Sequence, residues 1–217
     1  MGESMPVEID QQTLEWTKFQ LSKMGEPVKL RVFTTKDHCT LCNAIIDLVT
    51  QLSALSPKIQ MEICSCEVDD QQAKRYNIDK HPALLVHGKE DYNVRFFGMP
   101  MGFEFGVLIE DIVVASTGTP DLGEDVKLKL RSLTKPVHIQ IFTLPTCPKC
   151  PFAVRMAHKF AFYNKNVTAD AIDILEFREL AAKYRVLETP KMVINDRVEI
   201  LDLVTERDLA DKVLMSV

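Results

Sequence analysis

Four of the six cysteines fall in two C-x-x-C pairs, Cys39/Cys42 and Cys147/Cys150. Cysteines three apart lie on adjacent faces of one helical turn and come close enough to bond when the turn begins at the first of them. Ile141 to Phe152 reads I-F-T-L-P-T-C-P-K-C-P-F, an apolar strand-like run that stops at Pro145 and hands over to the pair. Pro148 suits a first helical turn, because its φ is preset and it lacks an amide hydrogen that such a position leaves unused. Cys147 is then expected at a helix N-terminus, where free N–H groups and the macrodipole favour a thiolate. Lys149 is expected to add a positive field. The chemistry is dithiol exchange: Cys147 attacks a disulfide as thiolate, and Cys150 resolves the mixed disulfide. Cys39 and Cys42 are assigned the same roles. Their Thr40-Leu41 dipeptide lacks the proline, Asp37 opposes a thiolate, and Lys36 and His38 favour one. The alternatives for either pair are a packed pair of thiols and half of a metal site.

Acidity alone does little for the rate. Lowering a thiol from ~8.5 to ~7 raises its thiolate fraction at neutral pH roughly 15-fold, while a Brønsted slope of ~0.5 removes about 5-fold in nucleophilicity. Substrate positioning must supply the rest.

The elements that position the cysteines recur. Residues 8 to 24 carry Leu14, Trp16, Phe19, Leu21 and Met24 at helical spacing, expected to cover a sheet face. A strand at 28–34, the first pair, a helix at 43–55, a strand at 59–68 and a short helix at 71–77 follow. Pro82 opens a strand at 83–87; a strand at 94–97 and a helix at 104–114 complete the set. Residues 116–124 concentrate Gly, Pro, Ser and Thr and are the linker candidate. The order then restarts: a helix with Val126, Leu130 and Leu133, a strand at 137–143, the second pair, a helix at 152–163, a strand at 168–174, a helix at 177–184, strands at 191–194 and 198–201, and a helix from about 205. Cys39 and Cys147, Cys42 and Cys150, Tyr76 and Tyr184, and Pro82 and Pro190 are each 108 positions apart. This is an internal duplication, expected to divide as residues 1–117 and 118–217.

Cys64 and Cys66 sit at i, i+2 on a strand and point to one face. Joined to Cys39 and Cys42 they would make a four-cysteine zinc site. The repeat puts Ile172 and Ile174 at the same places, so buried inert thiols are expected and no metal is assigned. Phe103 and Phe105 read as core, and His38 and His81 as partly exposed loop histidines.

A net charge of −5 over 217 residues gives no reason for nucleic acid or an anionic membrane as partner. MGESMPVEIDQQ is not a secretory signal, and no apolar run reaches the roughly 18 residues of a spanning helix. Six cysteines are too few for a disulfide-stapled scaffold. Cytoplasmic location is the expectation.

F-T-x4-C-x-x-C in the first copy, F-T-x3-C-x-x-C-P in the second, a proline 40 residues beyond each second cysteine and F-G-M-P-M-G-F-E-F after the first copy's last strand resemble the protein disulfide oxidoreductases, or glutaredoxin-like proteins. The resemblance implies an α/β protein of two tandem thioredoxin folds, each a central mixed β-sheet flanked by helices. It implies that Pro82 and Pro190 are cis and face the dithiols, so His81, Pro82, Thr189 and Pro190 are the substrate-binding candidates. Protein disulfides are the implied substrates, a thioredoxin-reductase-type flavoprotein the candidate electron donor, and the cysteine pairs the redox groups in place of a cofactor. Thioredoxin has a buried aspartate six residues before its first active-site cysteine; Phe33 and Ile141 stand there. A likeness to the double thioredoxin unit of alkyl hydroperoxide reductase suggests an electron relay to a peroxidase. Only one copy of that unit keeps its pair, whereas both are present here.

Overall fold

A computed structural model describes residues 7–35 and 39–217; Lys36, Asp37 and His38, assigned above to tune Cys39, lie outside the described residues. Gln11–Leu21 (α1) starts at Asp10, whose carboxylate accepts the Thr13 N–H at 3.0 Å, satisfying a donor the helix itself cannot. It leads to Val28–Thr34 (β1), Cys42–Leu55 (α2), Ile59–Ser65 (β2), Gln71–Arg75 (α3), Ala83–His87 (β3) and Val94–Phe97 (β4). A 3-10 turn, Gly102–Glu104, opens Phe105–Thr117 (α4). Next come Glu124–Arg131 (α5), Val137–Thr143 (β5), Cys150–Tyr163 (α6), Val167–Asp173 (β6), Arg178–Lys183 (α7), Lys191–Ile194 (β7), Val198–Leu201 (β8) and Glu206–Met215 (α8).

The strands form one eight-stranded sheet in the order β2-β1-β3-β4-β6-β5-β7-β8. Each half repeats a 2-1-3-4 pattern, and the halves join where β4 pairs in parallel with β6. The expected tandem is present, with its two sheets continuous. Strands β1, β2, β4, β5 and β6 all run in one direction, because β1 pairs antiparallel with β3 and β3 antiparallel with β4. Both cysteine pairs follow the C-terminal ends of such strands, so both open on the same edge of the sheet. Four strand steps of ~4.8 Å put them roughly 19 Å apart along it.

Two apolar clusters run through both halves, one on each face of the sheet: the larger holds Leu30, Leu48, Ile112, Ile139 and Phe160, the smaller Phe33, Phe97, Phe142 and Val193. Tyr92 of the first half packs edge-on to Phe162 of the second at 4.9 Å. At the join, Arg95 on β4 donates to both carboxylate oxygens of Asp170 on β6, at 2.6 and 2.7 Å. His138 Nε2 lies 2.6 Å from the same carboxylate. Burial alone would raise Asp170, yet the guanidinium and imidazole hold it well below the ordinary carboxylate range.

Some expectations change. On α1 the buried residues are Thr17 and Leu21, while Phe19 is 62% exposed. The apolar stripe over-counted because helix spacing does not say which face the sheet takes. The linker is shorter and packed: Ser116 and Thr117 belong to α4, Gly118 caps it at φ 69°, and Leu122 is buried. The 108-residue register holds for β2/β6 and β3/β7, but β1 and β5 start at 28 and 137. Phe33 and Phe142 are therefore equivalent, opposite Cys64 and Ile172. The first copy's loop into its cysteines is one residue longer, as F-T-x4 against F-T-x3 requires.

Candidate functional site

Both pairs are closed disulfides, Cys39–Cys42 with Cα atoms 5.5 Å apart and Cys147–Cys150 with Cα atoms 5.4 Å apart. In each pair the first sulfur is the more open: Cys39 is half-buried above Cys42 at 6% exposure, and Cys147 at 8% lies above Cys150 at 0%. Such an order suits an attacking and a resolving thiol.

The helices begin at Cys42 and Cys150, three residues after the first cysteine of each pair, where the turn was expected to start. Cys147 therefore occupies the turn ahead of α6, its N–H bonded to Leu144 O at 3.0 Å. The first helical turn holds Pro151, and Pro148 lies outside it. The helix N-terminus still faces the sulfur: the Cys150 N–H, one of the helix's free donors, points at Cys147 Sγ from 3.1 Å. Lys149 is less free than assumed, because both carboxylate oxygens of Asp202 hold its Nζ, at 2.9 and 3.0 Å. Asp202 also donates its N–H to Pro190 O at 3.3 Å, so one residue ties the C-x-x-C turn to the proline loop.

His81-Pro82 and Thr189-Pro190 are both cis. Thr189 O lies 3.6 Å from Cys147 Sγ, which places the proline loop against the dithiol. In the first half His81 is half-buried, its Nε2 has no hydrogen-bond partner, and burial pushes its pKa down against the opposing pull of Glu67 and Asp79. A cleft of about 890 Å³ is lined by Thr40, Asp79 and Lys80 of the first half and by Leu175, Phe177 and Leu180 of the second. It borders the first pair and joins the halves.

The most informative residue is one that spacing did not single out. Glu104, in the turn between β4 and α4, is 4% exposed and lies where the first half meets the loop before Cys147. Phe103 N–H donates to Pro145 O at 3.1 Å, and a side chain on Gly102 would meet that same oxygen at 2.3 Å, so the two backbones touch. Burial pushes the Glu104 carboxyl up to about 7, opposed by a hydrogen bond with the Thr143 side chain and reinforced by Asp173. One of its oxygens has no hydrogen-bond partner. Neither half has an acid at the place where thioredoxin has its aspartate; here a carboxyl from the other half meets Thr143, the last residue of the strand that leads to the second dithiol. The only hint in the sequence was a charge inside the apolar run F-E-F. Phe103, expected in the core, is 55% exposed.

Among the described residues no group of three or more His, Cys, Asp or Glu is placed to hold a metal ion, and Cys64 and Cys66 do not join the first pair. No helix among them is long and apolar enough to cross a membrane.

Fold and site together define the class, a tandem of two thioredoxin folds, each carrying a C-x-x-C disulfide. Comparison with known proteins agrees. Residues 137–214 match the family model described as thioredoxin domain. The chain superposes on the protein disulfide oxidoreductase from Aeropyrum pernix K1 with a TM-score of 0.88 at 27% identity, covering 95% of this chain and 93% of that one. It superposes equally well, TM-score 0.88 at 21% identity, on the NTD_N/C domain of alkyl hydroperoxide reductase AhpF from Enterococcus faecalis, covering 95% and 100%. In sequence it is 25% identical over 150 residues to the alkyl hydroperoxide reductase AhpF of Staphylococcus aureus, 69% of this chain. The chain spans 27% of the length of that relative.

Proposed function

We propose that the protein is a protein disulfide oxidoreductase of the cytoplasm, reducing, forming or isomerising disulfides at two dithiol centres, with no cofactor beyond the cysteines. The observation that carries this reading is Cys147 Sγ between the Cys150 N–H at 3.1 Å and the Thr189 carbonyl at 3.6 Å. The amide stabilises the thiolate on Cys147, both as attacker and as leaving group. The proline loop presents an extended backbone edge on which a substrate chain lays its disulfide beside the sulfur. Cys147 attacks, one substrate sulfur leaves as thiol, and Cys150 then displaces the other, closing Cys147–Cys150. Cys150 is fully buried and must lose its proton to do so. Glu104, near neutrality, is assigned to take up that proton and return it in the reverse direction. Cys39 and Cys42 act in the same way, with His81 and Pro82 as their loop, on substrates entering the cleft at Thr40. The two units divide at 117/118, where Gly118 ends α4.

Dithiol-driven reduction of a protein disulfide by wild type, Cys39→Ser and Cys147→Ser tests the reading. Activity unchanged in Cys147→Ser would overturn it. A relay from a thioredoxin-reductase-type flavoprotein to a peroxidase is the second reading, favoured by the sequence match to AhpF. It predicts that a purified flavoprotein reductase with NAD(P)H reduces both pairs faster than a small dithiol does.

A further inference from the structure

Cys64 and Cys66 have no part in the function proposed above. Cys64 Sγ lies 3.2 Å from Cys66 Sγ, inside an ordinary contact of two sulfurs. Cys64 is half-buried and reachable, while Cys66, 8% exposed, packs with Phe33, Ala73 and Ile78. In the second half the equivalent Ile172 is fully buried, because β6 lies mid-sheet whereas β2 is an edge strand. The same register position is thus sealed in one half and open in the other.

We propose that Cys64 and Cys66 are a third redox couple, closing to an intramolecular C-x-C disulfide by exchange with small-molecule disulfides of the glutathione type. Cys64 attacks such a disulfide R–S–S–R, forming Cys64–S–S–R and releasing one RSH. Cys66 then attacks Cys64 Sγ, forming Cys64–S–S–Cys66 and releasing the second RSH; the two thiol protons leave with the two products, and two electrons pass from the cysteines to R–S–S–R. Residues two apart in a strand have Cα atoms about 6.6 Å apart, near the upper end of the ~4.4–6.8 Å that a disulfide spans. Closure is eased because β2 is an edge strand that ends at Ser65, so its outer side is unpaired and Cys66 is held at the strand's end by its N–H to Thr34 O.

A metal fits less well. Tetrahedral zinc with Zn–S of ~2.3 Å separates two thiolates by roughly 3.8 Å, and no third His, Cys, Asp or Glu completes a site among the described residues. Burial, then Cys64 and the nearby Asp70 and Glu67, push the Cys66 thiol up to about 12. A thiol so raised is seldom ionised, so Cys66 closes the bridge slowly at neutral pH; as a poor leaving group it also makes the bridge, once formed, resist reduction. The couple also sits against the root of the first dithiol: Cys66 N–H donates to Thr34 O at 2.9 Å and the Thr35 hydroxyl to Glu67 at 2.5 Å.

The test is a full-length variant with Cys39, Cys42, Cys147 and Cys150 all changed to serine, incubated with oxidised glutathione, acid-quenched and mapped. The tryptic peptide from Ile59 to Lys74 carries both cysteines. The expected result is loss of both titratable thiols and a peptide lighter by two hydrogens. Adding Cys66→Ser should convert it to a stable single glutathione adduct at Cys64. A glutathione adduct that persists with Cys66 present, two free thiols, or a bridge between chains overturns the proposal. Should the serine variant not fold, wild type answers the same question. Oxidised, quenched, then unfolded and alkylated, it should carry no alkylated cysteine; alkylation at Cys64 and Cys66 overturns the proposal.

Discussion

The two dithiols occupy equivalent places at the ends of β5 and β1, but their surroundings differ. Cys147–Cys150 follows a strand whose last residue, Thr143, meets the buried Glu104 of the opposite half, and its turn is braced by the Lys149–Asp202 pair. Cys39–Cys42 stands toward the free edge of the sheet, beside an open cleft and a pair of free cysteines. A duplication that gives two identical folds need not give two identical sites. Joining β4 to β6 makes the first half's last strand a neighbour of the second site, while its own second strand is left at the edge. The chemistry of each centre is therefore set partly by which side of the join it lies on.

That comparison can be broken most severely at the nucleophile. Cys147→Ser should lower protein-disulfide turnover at the second centre by roughly 10³-fold or more, about 4 kcal/mol, leaving the first centre's potential unmoved in a redox titration. Breaking the join comes next. Arg95→Met leaves Asp170 buried without its main counter-charge and should cost about 3–5 kcal/mol in denaturant unfolding, much of it regained in Arg95→Met/Asp170→Leu. A third prediction concerns the acid. Glu104→Gln should slow the second centre about 10–100-fold and remove a limb near pH 7 from its rate profile, with the first centre unchanged.

Glu104 also carries a stability signature. Its pKa is about 7 folded against 4.5 as a free side chain, so the folded state holds the extra proton between those values. The associated stability is fully present below about pH 4.5 and is lost as pH rises through 7, by an amount on the order of 3 kcal/mol. Glu104→Gln should flatten that fall, measured as unfolding free energy at pH 5 and pH 8.5. Smallest is the exposed pair: Asp202→Asn frees Lys149 and should change the Cys147 thiol pKa and rate at most a few-fold, an effect that shrinks in salt.

Much of this was readable from residue order. The C-x-x-C spacing and the 108-residue register identified both dithiols and the tandem, because spacing and periodicity act over a few neighbouring residues; the family resemblance supplied the proline loops, of which the one at Thr189 lies against Cys147. The strand limits at 28–34, 83–87, 94–97, 137–143, 191–194 and 198–201 agree with those in the fold for the same reason. What residue order left open was everything that depends on which distant surfaces meet. The continuity of the sheet through β4 and β6, the Arg95–Asp170 clamp, the exposure of Phe19 and Phe103, and the start of α6 at Cys150 are products of packing. Glu104 illustrates the physical reason: its titration is governed by burial beneath Pro145 and Thr143, some forty residues away in sequence, and a local pattern has no measure of burial. Cys64 and Cys66 illustrate the converse, since the repeat equates them with two isoleucines while the sheet places one pair at an edge and the other at its centre.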